Sequence, residues 1–163
     1  MATPLAYTAT YSHSADVVRA AIASEQYWKD RLAEVGGPGA RLESFELTGE
    51  VLTVRMVQTI AASELPGSIT SVRPGDMIIP RTEVYTAGSN TGTFEAHVDG
   101  APAEVKGTVT LTENGSGTTA TVEGSVHVAV PLFGKKIEAV VAEKLLELLA
   151  SEATFTDTWI SQH

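Results

Sequence analysis

The sequence predicts an α+β domain, a curved antiparallel sheet of about seven strands wrapped around one long C-terminal helix, with two short helices after the first strand. Three observations lead there. Nearly everything between residues 40 and 130 reads as short strands separated by tight-turn residues. After Pro131, apolar residues at Ile137, Val141, Leu145, Leu148, Phe155 and Trp159 recur in steps of three, four or seven. That is one stripe of a 3.6-residue period, and it predicts a helix from about Lys135 to Ile160. Short hairpin links between the strands argue for antiparallel neighbours.

The elements follow in order. Leu5, Tyr7, Ala9 and Tyr11 alternate with Ala6, Thr8, Thr10 and Ser12, as in a strand with one buried face. Ser14 and Ser24 are placed to cap two helices, because a serine hydroxyl accepts from the free amides of a first turn. Val17, Val18, Ala21 and Ile22 give the first helix an apolar side; the second runs Glu25 to Val35 and stops at Gly36-Gly37-Pro38-Gly39. Strands are expected at Arg41 to Leu47, Val51 to Ala61, Asp76 to Ala87, Thr91 to Val98, Glu104 to Thr112 and Thr118 to Val130. In the last hairpin Val105, Val109 and Leu111 face Val122, Val126, Val128 and Val130, while threonines and Glu123 take the wet side. Ser63 to Gly75, with two prolines and two glycines, is expected to be irregular.

Composition narrows the functional classes. The 163 residues, 1–163, make one ordinary domain, long enough to bury a full core without a disulfide or metal. There is no cysteine, so disulfide frameworks, thiolate zinc sites and cysteine catalysis are excluded, and a reducing, cytoplasmic setting is expected. Residues 1–21 carry no basic segment followed by an apolar run, so no signal peptide is expected, and charges interrupt the C-terminal helix too often for a membrane span. A net charge of −9 with few, scattered basic residues argues against nucleic acid and anionic membrane surfaces as partners.

No catalytic motif is present. His13, His97, His127 and His163 do not share metal-ligand spacing, no Gly-x-Ser-x-Gly elbow occurs, and no glycine-rich turn links a strand to a helix in phosphate-binding form. Neither a cofactor nor a metal is expected. Glu138, near the start of the long helix, complements the positive helix end.

The element order and several local segments carry a resemblance. These are Ala15-Asp16-Val17-Val18 with Tyr27-Trp28 in the paired helices, Val130-Pro131-Leu132-Phe133-Gly134 entering the long helix before Ile137-Glu138, and Trp159 near its end. Together they resemble the helix-grip fold of the START and birch-pollen-allergen superfamily, which includes polyketide cyclases, and within it an uncharacterised bacterial branch. The resemblance implies a cavity between sheet and C-terminal helix for a small hydrophobic or amphipathic ligand (lipid, polyketide or steroid-like).

Polar residues that face such a cavity are the candidates for orienting a ligand. Glu152 lies between Val141 and Leu145 on the helical wheel, inside the apolar arc. Burial alone would raise its pKa; an opposing Arg81 would keep it ionised. Gln58 shares an alternating face with Leu52, Val54, Met56 and Ile60, so its amide needs a partner there, a ligand or a water or backbone group. Arg81, Glu83 and Tyr85 share one strand face, either a polar pocket wall or a solvated pair. Trp28, Met56, Phe94, Leu145, Leu148 and Phe155 are the apolar wall candidates, with Tyr7, Tyr11 and Phe133 beside them; ordinary core packing is the alternative for each. Two other functions stay open. One is a cyclase- or dehydratase-like enzyme in which Glu152, Arg81 or Tyr85 handles a proton. The other is a protein-interaction module with a filled core.

Overall fold

A computed structural model describes residues 2–71, 74–132 and 134–163. Strand β1 (Thr3–Tyr11) is followed by helices α1 (Ala15–Ile22) and α2 (Glu25–Val35). Ser14 and Ser24 cap them, each accepting from the amide three residues on, Val17 and Tyr27. Strands β2 (Arg41–Thr48) and β3 (Val51–Ile60) form a hairpin, and after short helix α3 (Gly67–Thr70) come β4 (Met77–Thr86), β5 (Thr91–His97), β6 (Ala103–Asn114) and β7 (Gly117–Val128). Helix α4 (Gly134–Gln162) closes the chain.

The strands form one antiparallel sheet in the order β1-β7-β6-β5-β4-β3-β2. Six strands simply meander. β1 alone sits out of sequence order, beside β7, so the two short helices must carry the chain from one sheet edge to the other. They therefore close one end of the curved sheet, while α4 lies along its concave side. This is the α+β helix-grip architecture the sequence predicts.

Curvature has a visible cause. Gly107 of β6 pairs with Gly124 of β7 and with Phe94 of β5. A Cβ on Gly107 would lie 2.7 Å from Gly124 Cα and 2.8 Å from the Phe94 ring. The missing side chains let the sheet bend and let Phe94 fold over the gap. At the end of α2, Gly37 has φ +90, and a Cβ there would meet the Thr59 carbonyl at 2.1 Å. Only glycine lets this loop press against β3, where Thr59 N–H donates to the Gly36 carbonyl at 2.8 Å and its hydroxyl donates to that of Pro38 at 2.6 Å.

Two details differ from the sequence reading. The segment expected to be irregular contains a 3-10 turn at Ala62–Glu64 and helix α3, whose Ile69 is buried in the main core. One buried isoleucine and its proline N-cap order a stretch that composition marks as loop. The buried line of α4 is also rotated from the apolar stripe. Its buried residues include Glu138, Val141, Ala142, Leu145, Glu152 and Thr156, whereas Ile137, Leu148, Phe155 and Trp159 are only half-buried. Two glutamates and a threonine occupy the middle of the face because each has a partner there.

Glu138 is one of them. It does more than complement the helix end. It accepts from the Val128 amide at 2.9 Å and the Thr3 hydroxyl at 2.7 Å, and pairs with Lys135 at 3.3 Å, joining β1, β7 and α4. Those bonds outweigh the cost of burial and lower its pKa from the usual 4.5 to about 2.

Candidate functional site

The second buried glutamate anchors a ring of charge inside the grip. Glu152 projects from the middle of α4 toward β3 and β4. Arg81 Nη1 lies 3.0 Å from its Oε2, Arg31 Nη2 lies 3.3 Å from its Oε1, and Gln58 Nε2 donates to Oε2 at 2.5 Å. Glu83, two residues along β4 from Arg81, faces the same arginines: Arg81 Nη2 is 2.7 Å away and Arg31 Nη2 3.3 Å. Two guanidinium groups thus alternate with two carboxylates, and each cation touches both anions.

Local sequence explains the arrangement. The strand period of two puts Arg81, Glu83 and Tyr85 on one face of β4, and that face is inward. Tyr85 donates its hydroxyl proton to Glu83. The helical period puts Arg31 one turn after Tyr27 and Trp28, on the buried side of α2. Its guanidinium lies 4.5 Å from the Trp28 ring centre and 5.9 Å from that of Tyr27. Arg31 Nη1 donates to the Tyr27 hydroxyl at 3.3 Å. Thr156 donates to the Glu152 carbonyl at 2.7 Å, so in the 2.6 Å contact between Tyr27 and Thr156 the phenol is the donor.

The ring is deeply buried, with Arg31, Glu83 and Glu152 at 6%, 2% and 5% exposure. Burial works to raise the Glu152 pKa, but Arg31 and Arg81, with the hydrogen bonds from Gln58 and Arg81, outweigh it and hold the carboxyl below its usual range. Burial likewise opposes charge on both arginines, and Glu152 foremost keeps them ionised. Tyr85 is pushed well above the ordinary phenol range by burial and then by the adjacent Glu83 carboxylate. Among the described residues, the Arg31 and Arg81 Nε–H groups are buried without a hydrogen-bond partner.

One cavity lies beside the ring, and a second shares wall residues with it. The inner one, between sheet and α4, holds about 70 Å³ and is bounded by Arg31, Arg81, Glu83, Glu152, Tyr11 and Trp28 among others. The outer one, about 310 Å³, opens between α1, the far end of the β2–β3 hairpin and the β4–β5 turn. Its walls are mainly apolar, with Phe45, Leu47, Leu52 and Ala23 on them, and its rim carries Asp16, Arg19, Glu50 and Asn90. Ile22, Tyr85, Val109 and Leu111 bound both cavities. Arg19 bonds to Asp16 and to Asn90, linking α1 to the β4–β5 turn at the rim.

The sequence-derived candidates separate into groups. Trp28, Arg81, Tyr85 and Glu152 meet at the inner cavity. Gln58 joins the ring from behind: its amide donates to Glu152 and its oxygen accepts from Arg81 at 2.8 Å, so its partners are side chains. Met56, Phe94 and Leu145 are packed in the core. Leu148 and Phe155 line shallow surface grooves beside α2. Tyr7 and Tyr11 border the inner cavity, and Phe133 lies outside the described residues. Arg31, Tyr27 and Thr156 were missed. Arg31 had a signal: it shares a helical face with Tyr27, Trp28 and Leu32, where a cation needs a partner.

Residues 6–160 match the family described as "Protein of unknown function (DUF2505)". The chain belongs to this family. The uncharacterized protein Rv0481c of Mycobacterium tuberculosis is 31% identical over 96% of this chain and 95% of its own. Solved structures with the same fold include a START superfamily protein from Mycobacterium smegmatis, with TM-score 0.61 and 14% identity over 98% of this chain and 97% of that one. A Thalictrum norcoclaurine synthase mutant, in complex with a transition-state analogue, aligns with TM-score 0.62 and 17% identity over 100% and 96%. The DUF2505 domain therefore has the START-like, birch-pollen-allergen-like fold. No helix among the described residues is long and apolar enough to cross a membrane.

Proposed function

We propose that this DUF2505 domain binds a small hydrophobic or amphipathic molecule, lipid-, polyketide- or steroid-like, with its apolar body in the outer cavity and its polar end toward the charged ring. The observation that carries this reading is the 310 Å³ apolar cavity that shares walls with a buried polar cluster. Ligand sites typically run from about 300 to 1,000 Å³. The 70 Å³ space under α4 has room for about two waters at some 30 Å³ each. Of these two cavities, the outer one is large enough for a ligand body. Its walls supply affinity at about 25 cal/mol per Å² of apolar surface buried.

The enzyme reading has less support in this geometry. A proton-transfer group needs a pKa near the working pH and a free face toward the substrate. Glu152 is held ionised by three side chains, and the Tyr85 proton is committed to Glu83.

A titration with Nile red, a neutral environment-sensitive dye, followed by competition with small lipids, tests the proposal. Ala23→Phe would place a ring into the outer cavity from the exposed end of α1, away from the core. Expected is saturable dye binding that weakens at least tenfold in this variant while the melting temperature stays put. Absence of saturable binding to the parent chain would sink the proposal.

A further inference from the structure

We infer that the Tyr85 phenol is the wall that ends the outer cavity, so that this one side chain sets the longest ligand body the site can enclose. The inference rests on the binding proposal and adds a length limit to it.

Position along each element locates the partition. On β4, Arg81 and Glu83 bound only the inner cavity, Thr86 and Ala87 only the outer one, and Tyr85 between them bounds both. On α1, Val18 faces only the inner cavity and Ala20 only the outer, with Ile22 on both. Val109 and Leu111 of β6 complete the shared wall. These four side chains stand between a space of about 310 Å³ and one of about 70 Å³. A ligand body in the outer space ends against them, with the two arginines and two glutamates behind.

Of the four, Tyr85 is the largest and the one fixed at both ends. Its ring lies over the backbone of β5 at Gly92, where a Cβ would collide with the ring edge. Glycine at this position is what lets the phenol lie flat across the neighbouring strand. Beyond the ring, the hydroxyl donates to Glu83, and the Trp28 ring stands 6.4 Å away at 40°. Swinging the phenol aside would take a donor away from a buried carboxylate, which is costly. The wall therefore stays shut when a ligand presses on it.

Volume turns the closed wall into a length limit. The outer space of about 310 Å³ holds about ten groups of water size, at some 30 Å³ each. Each methylene that enters raises affinity by about fourfold, the equivalent of about 0.8 kcal/mol. A methylene left outside the mouth stays in water and adds nothing. Affinity therefore climbs with chain length and levels once the cavity is full. Removing the phenol joins the inner space to the outer one, with room for about two further groups and for whatever the ring itself occupied.

The test is a series of methyl ketones from 2-hexanone to 2-tridecanone, each competing with Nile red on the full chain. For the parent protein the expected affinity rises about fourfold per methylene up to about 2-decanone and then levels. Tyr85→Ala removes the ring and should carry the rise about two methylenes further. Tyr85→Phe keeps the ring without the hydroxyl and should level where the parent does. If Tyr85→Ala does not fold, Tyr85→Leu, which also removes the ring, is read in the same way; if neither folds, the parent series decides. A rise that continues through 2-tridecanone in the parent, or levelling at the same length with and without the ring, overturns this inference and leaves the binding proposal standing. No saturable dye binding overturns both.

Discussion

Glu138 and Glu152 stand on the same buried face of α4 but are held ionised by different means. Backbone and hydroxyl donors do most of the work for Glu138, and two guanidinium groups for Glu152. Both folded pKa values lie below the unfolded ones. Each carboxylate therefore contributes stability above the usual carboxylate pKa and loses it as the pH falls through the folded value. For Glu138 that window runs from 4.5 down to about 2. Thermal midpoints between pH 7 and pH 2.5 should fall across this window, and the fall should be shallower in Glu138→Gln. A variant that follows the parent curve would remove Glu138 from the explanation. The ring makes a sharper prediction. Arg81→Met leaves two buried carboxylates to one arginine and should cost about 3–5 kcal/mol in urea unfolding. The double variant Arg81→Met with Glu152→Met should cost less than the sum of the single changes. At this scale the sequence was half legible. Alternation placed Arg81, Glu83 and Tyr85 together, and the wheel marked Glu152 as out of place. Which face of β4 points inward depends on α2 supplying Arg31, a contact between residues 52 apart that no local pattern encodes.

α4 is the element that the sequence showed most clearly and also the one whose orientation it hid. The apolar period gave its existence and its ends to within two residues. The rotation came from reading Glu138 only as a complement to the helix end and from leaving Thr156 out of the buried face. Val141 and Leu145 were placed correctly because they lie where the apolar stripe and the buried line cross. The strands were legible for a related reason: one dry face imposes a period of two, and the turns between them carry glycine, asparagine or proline. Helix α3 was not, because what holds it is the burial of Ile69 in a distant core. Leu145→Asp puts an unpaired charge into the cluster formed with Val126, Met77 and Phe94. It should unfold the domain or cost on the order of 3 kcal/mol or more. Truncation after Val130 removes the whole inner layer and should leave no cooperative thermal transition; a clear transition in the truncated chain would show that the sheet holds together without α4.

For the whole molecule, closed edge and open end have different jobs. β1 and β7 pair along their full length and α4 packs on both, so that side is dense. The α1 end is looser: Leu47 is 65% exposed beside a cavity, and the two parts of its rim meet through Arg19 alone among the hydrogen bonds between described side chains. A ligand seated there touches α1, the β2–β3 hairpin and the β4–β5 turn at once, so its binding energy must appear as stability of the entire domain. At a free concentration one hundred times the dissociation constant, a ligand that binds only the folded state adds about 2.7 kcal/mol. For a chain of this size each kcal/mol moves the melting temperature by about 2–4 °C, which predicts a rise of about 5–10 °C. A melting series with 2-decanone should show that rise, with the midpoint climbing logarithmically once the site is saturated. Ala23→Phe, with its cavity filled, should melt at the same temperature with and without the ketone. A rise of equal size in both proteins would mean that the ketone acts elsewhere on the surface and that the outer cavity is not its site.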